Sequence, residues 1–100
     1  MTTTPEQLEA FRAQLEEVNA EYFRTNMPTL PDYFGGVTFT VGKKNARFSM
    51  TSGGQGQVLL FVDMATGNIL KAAGYNVPAK GARGNIATTK PQAGTGWLYR

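Results

Sequence analysis

The chain divides by the period of its apolar residues. Leu8, Phe11, Leu15, Val18 and Tyr22 recur at spacings of three and four, the repeat of one face of an α-helix. Thr4-Pro5-Glu6-Gln7 opens that helix. It offers a capping hydroxyl, a proline where no amide hydrogen is needed, an acid at the positive end of the dipole, and a glutamine three residues past the cap. Five stripe positions are too few for a coiled coil, so the stripe is expected to pack on the chain's own sheet. Pro28 and Pro31 should stop the helix near residues 24–26, since each lacks a donor and restricts its predecessor.

From Val37 the period falls to two. Val37, Phe39 and Val41 alternate with threonines, residues 42–45 make a turn, and Ala46, Phe48 and Met50 alternate with Arg47 and Ser49, which predicts a hairpin. Residues 51–56 read as a glycine-rich loop. Val58-Leu59-Leu60-Phe61-Val62 does not alternate and predicts a central strand covered on both faces, by the fold or by a second copy. Asp63 begins a tight turn in which its carboxylate accepts backbone bonds and Gly67 supplies positive φ; residues 69–72 form a fourth strand. Beyond Tyr75 regular patterns fade, apart from one helical turn that Pro78 is suited to start. The expected class is therefore α+β in a single domain. It has an amphipathic helix over 1–26, a linker over 27–36, a four-stranded antiparallel meander over 37–72 and an irregular basic tail over 73–100.

Composition sharpens what this domain does. The sequence has no histidine and no cysteine. That removes the commonest general base, the Ser-His and Cys-His pairs, disulfides and thiolate metal sites. No loop is rich enough in acids for calcium or magnesium, and Asp63 and the helix glutamates have simpler roles in a turn and on a polar surface. The expectation is a non-enzymatic protein without a cofactor or metal. No apolar run approaches the length of a membrane span, and the N-terminus lacks the layout of a signal peptide, which points to the cytoplasm.

Charge is uneven. Residues 1–36 carry a balance of −4 and residues 37–100 a balance of +7, within a total of +3. Such asymmetry indicates an anionic partner, or two parts that attract each other. Lys80, Gly81, Arg83, Gly84 and Asn85 resemble a phosphate-binding loop in chemistry, because glycines admit close backbone approach and the cations neutralise phosphate. They match neither the Walker nor the dinucleotide pattern, and a solvated glycine-rich turn has the same composition. Lys43, Lys44 and Arg47 form a second basic group on the hairpin. Arg47 should point away from the helix, where with Lys71 and either Tyr75 or Trp97 it would present charge beside a stacking ring.

The stretch from Phe61 to Ile86 resembles small uncharacterised tailed-phage proteins. They share a pattern F-V-D-x-A-T-G-N-I-x-K followed by P-A-K-G-x-R-G-N-I, which this chain carries at 61–71 and 78–86. The resemblance implies a phage origin and expression in the cytoplasm of an infected bacterium, and carries no assigned activity. The leading expectation is an accessory protein that binds a phosphate-bearing ligand, either nucleic acid or a small nucleotide, including a host immune signal held away from its receptor. The alternative is a protein-interaction module that inhibits or redirects a host protein through the acidic helix. A homo-oligomer fits either account.

Overall fold

The computed structural model describes residues 3–26, 34–74, 77–93 and 98. Helix α1 spans Pro5–Asn26 and opens with the capping box read in the sequence. The Gln7 amide donates to Thr4 Oγ1 at 3.2 Å, and the Thr4 amide donates to Gln7 Oε1 at 2.8 Å. Its buried face differs from the predicted stripe. Leu8, Phe11, Leu15 and Asn19 are buried, Phe23 packs against the core, and Tyr22 is 47% exposed. From Phe11 the contact line follows a strict four-residue step, so Asn19 takes the place expected of Val18. Its amide donates to the Leu15 carbonyl at 2.8 Å, which lets a polar side chain be buried at low cost.

Among the described residues five strands follow, one more than expected: β1 (Phe34–Val41), β2 (Asn45–Ser52), β3 (Gln55–Asp63), β4 (Asn68–Leu70) and β5 (Gly84–Asn85). They pair antiparallel in chain order, a meander with β3 at its centre. The fifth strand lies in the segment read as irregular. Two residues are too short for a period to register; the pairing is made by tertiary contact, Ile69 opposite Gly84 and Asn68 opposite Asn85. Gly84 sits at φ +155°, and a Cβ there would fall 2.5 Å from Thr89 Oγ1, so only glycine fits. The helical turn expected at Pro78 does not form. Pro78 instead bridges Ala72, and the Ala79 amide donates to the Lys71 carbonyl at 2.8 Å, so the chain folds back along β4.

Asp63 and Gly67 behave as read. Asp63 Oδ1 accepts the Ala65 amide at 2.8 Å, and Gly67 has φ +79°. The core fills the space between α1 and one face of the sheet. Phe11 meets Phe48 edge-on with ring centroids 5.7 Å apart, and Phe39 lies 5.3 Å from the same ring. The unalternating run in β3 has a local cause. Phe48 pairs with Leu60 while Ser49 pairs with Val58, leaving Leu59 as the extra residue of a β-bulge. Leu59, Leu60 and Val62 all join the core cluster, whereas Phe61, only 4% exposed, stands outside it. The strand is thus covered within one chain, and its burial gives no argument for a second copy.

Arg12 and Glu16 of α1 reach the outer edge of β1. The Val37 amide donates to Glu16 Oε1 at 3.0 Å and the Val37 carbonyl accepts from Arg12 Nη1 at 3.2 Å. An edge strand exposes unpaired donors and acceptors; here one helix residue of each charge satisfies both groups of a single residue.

Candidate functional site

The face of the sheet opposite α1 is built by the residues that alternate with the core. Thr40 of β1 pairs with Arg47 of β2, Arg47 with Phe61 of β3, and Phe61 with Leu70 of β4. At the end of this row the β1–β2 turn rises as a wall, tied down by the Gly42 amide on the Asn45 carbonyl at 2.9 Å and by the Met64 amide on the Lys44 carbonyl at 3.0 Å. The result is a depression of about 260 Å³, lined by Thr40, Gly42, Lys43, Lys44, Asn45, Arg47 and Phe61.

Two properties set this depression apart. Lys43 and Lys44 are exposed on its rim and meet no carboxylate at ion-pair distance among the described residues. Asn45 Oδ1, in its wall, is buried and finds no donor among the described residues. A buried acceptor without a donor is costly. A larger groove of about 540 Å³ runs between α1 and residues 86–91, but it mixes Glu17 with Lys90 and does not concentrate one charge.

Three of the five helix glutamates pair with arginines of the same helix. Arg12 pairs with Glu9 at 2.6 Å and with Glu16 at 3.1 Å, and Arg24 pairs with Glu21. The hydrogen bond from Arg12 holds the Glu9 carboxyl below its usual range, and that from Arg24 does the same for Glu21. The bond to Glu9 in turn raises the Arg12 guanidinium above its ordinary value. Glu16 therefore belongs to the clamp on β1 rather than to a solvated acidic surface.

The residues singled out in the sequence fall into separate places. Lys43, Lys44 and Arg47 come together in the depression, joined by Thr40, Asn45 and Phe61. Lys80, Gly81 and Arg83 are exposed beside β4, where the Arg83 amide donates to the Ile69 carbonyl at 2.6 Å. They do not line the same depression. Gly84 is enclosed by Thr89. The Asn85 side chain is engaged three times, donating to the Thr66 carbonyl at 2.9 Å and Asn68 Oδ1 at 3.1 Å and accepting the Ala87 amide at 2.9 Å. Lys71 is half-buried after β4, one residue past the Leu70 that pairs with Phe61. Tyr75 and Trp97 lie outside the described residues.

Sequence reasoning passed over Asn45 and Phe61 as site residues, reading one as a turn residue and the other as core. The period-two register could have placed both on the Arg47 face, had the bulge at Leu59 been visible.

Among the described residues no helix is long and apolar enough to cross a membrane, and no group of three carboxylates is placed to hold a metal ion. No curated protein and no solved structure matches the chain. A family model matches residues 6–96, nearly the whole length of this helix-on-sheet unit, and the chain belongs to that family, described as a family of unknown function (DUF7717).

Proposed function

We propose that the protein is a non-enzymatic binder of a phosphate-bearing ligand, taken at the basic depression on the face of the sheet away from α1. The observation that carries this reading is the convergence of Lys43, Lys44 and Arg47 on one concave wall. Cations gathered around a concavity focus field and favour anions, and phosphate accepts several charge-assisted hydrogen bonds at once. Lys80 and Arg83, exposed beside β4, extend the positive potential without lining the depression. The resemblance to small tailed-phage proteins supports an accessory role inside an infected bacterium, where the ligand is nucleic acid or a nucleotide, including a host signal removed from its receptor.

Isothermal titration with inorganic phosphate, ATP and a twelve-residue oligothymidylate tests the reading. At least one should bind. Lys43→Glu/Lys44→Glu should weaken it at least about tenfold, the scale of one or two charge-assisted bonds, while Lys80→Glu/Arg83→Glu should weaken it less. Binding lost only in the Lys80/Arg83 variant would move the site to the β4 side. No binding by any of the three would overturn the proposal and favour a host protein as partner.

A further inference from the structure

The outer edge of β1 is covered only in part. Antiparallel pairing turns the backbone groups of alternate residues toward the neighbouring strand and those of the residues between them outward. Val37 faces outward, since Arg12 and Glu16 take its carbonyl and its amide. By the same alternation Phe39 and Val41 face outward, and nothing among the described residues bonds to their backbone from that side. Thr38-Phe39-Thr40-Val41 carries none of the features that blunt an edge, neither charge nor proline nor bulge. Its residues favour strands, and Val41 is 51% exposed. The opposite edge of the sheet, β5, is two residues long and offers little to pair with.

We infer that a second copy of the chain pairs with this edge, β1 antiparallel to β1 about a two-fold axis at Thr40, joining two five-stranded sheets into one. The clamp on Val37 selects the register. Centred on Thr40, Phe39 of each copy faces Val41 of the other, and each pair exchanges both of its backbone bonds. Centred on Phe39, Val41 would meet Val37, whose groups are already taken. Centred on Val41, Phe39 would meet Lys43, beyond the end of the strand. The Thr40 register also sets aromatic against β-branched side chain and threonine against threonine, both favourable cross-strand pairs. Its charges agree as well. Lys43 and Lys44, exposed and without a carboxylate at ion-pair distance among the described residues, arrive at Val37 of the other copy. There Glu9 and Glu16 surround the single guanidinium of Arg12 and leave that corner net negative. The axis stands perpendicular to the sheet, so both helices lie on one face and both basic depressions on the other, meeting along the Thr40 seam.

The chain has no cysteine, so a single introduced thiol reports the axis. At position 40 the two Cα atoms would stand about 4.5 Å apart, the spacing of a non-hydrogen-bonded pair and within reach of a disulfide. At position 38 they would be displaced by about 14 Å along the strands. Thr40→Cys should therefore form a covalent dimer under mild oxidation, and Thr38→Cys, at an exposed position on the same face, should not. Sedimentation velocity of the parent chain should show a concentration-dependent species of twice the chain mass, weakened by added salt. Val41→Pro should abolish that species, because it removes an outward amide hydrogen and leaves the bonds to β2 in place. Circular dichroism establishes that each variant is folded; should Val41→Pro unfold, the two cysteine variants carry the test. A parent chain that stays monomeric at every concentration would overturn the inference and leave the edge to an extended segment of another protein. A dimer that survives Val41→Pro, or that Thr38→Cys traps as readily as Thr40→Cys, would also overturn it, since the interface would then lie elsewhere. None of these measurements involves an anion, so their outcome is independent of the proposed ligand.

Discussion

Asn19 shows how a single residue can belong to the core against its chemistry. It is buried in line with Leu15 and Phe23 because the four-residue step runs through it, and its amide is satisfied by the carbonyl one turn back. Phe48→Ala should cost about 3–5 kcal/mol in urea denaturation by emptying the centre of the aromatic cluster. Thr4→Ala should cost about 1 kcal/mol through loss of the cap. That cap, the Asp63 turn and the glycine at position 67 were all legible in the sequence, because each is a bond or conformation formed within four residues. Asn19 was not, because Val18 and Asn19 are both compatible with a helical stripe and only the sheet beneath decides between them.

At the scale of elements, α1 is more than a lid for the core. Arg12 and Glu16 bind the outer edge of β1 at Val37, so helix and strand edge hold each other in register. Glu16→Ala should destabilise the protein by about 1–2 kcal/mol, leaving the Val37 amide without its acceptor, and Glu16→Gln should cost less because it keeps one. The same helix predicts a pH dependence. Glu9 and Glu21 have carboxyls held below their ordinary value in the fold by hydrogen bonds from Arg12 and Arg24. Their contribution is therefore complete above the ordinary value of 4.5 and declines as pH falls through the lower folded value. Urea midpoints measured from pH 7 to pH 3 should be flat above about pH 5 and fall below it, and Glu9→Gln/Glu21→Gln should flatten that fall. The helix and the first two strands were readable from their periods and the third from its unbroken apolar run, although residues 51, 52, 55 and 56, read as loop, belong to β2 and β3. The short β5 was not, because a two-residue strand exists only through its neighbour.

The whole molecule presents two unlike sides. On one, α1 seals the apolar face and keeps a net negative charge, five glutamates against two arginines; on the other, the sheet carries the basic hairpin. The uneven charge of the sequence survives folding as a difference between the helix and the basic hairpin. The glycine-rich segment around Lys80 drew attention because its composition is conspicuous, yet its glycine at 84 and asparagine at 85 serve the junction of β4 and β5. The candidate site lies instead where the β1–β2 turn, Arg47 and Phe61 meet. Bringing these together needs the pairing of three strands, and the bulge that determines which way Phe61 faces has no local mark.

That bulge makes β3 sensitive to length in a way composition does not reveal. Leu59 acts as a frame-setting insertion: it lets Leu60 and Val62 enter the core while Phe61 enters the opposite wall. Substituting Leu59 by another aliphatic residue alters one side chain, whereas deleting it changes the phase of every position before or after it relative to β2. Leu59→Val should retain cooperative unfolding and binding, and deletion of Leu59 should abolish both in the same assays, although each changes a single position. In this strand, the count of residues is itself part of the information that separates the inside of the protein from the face that carries the basic depression.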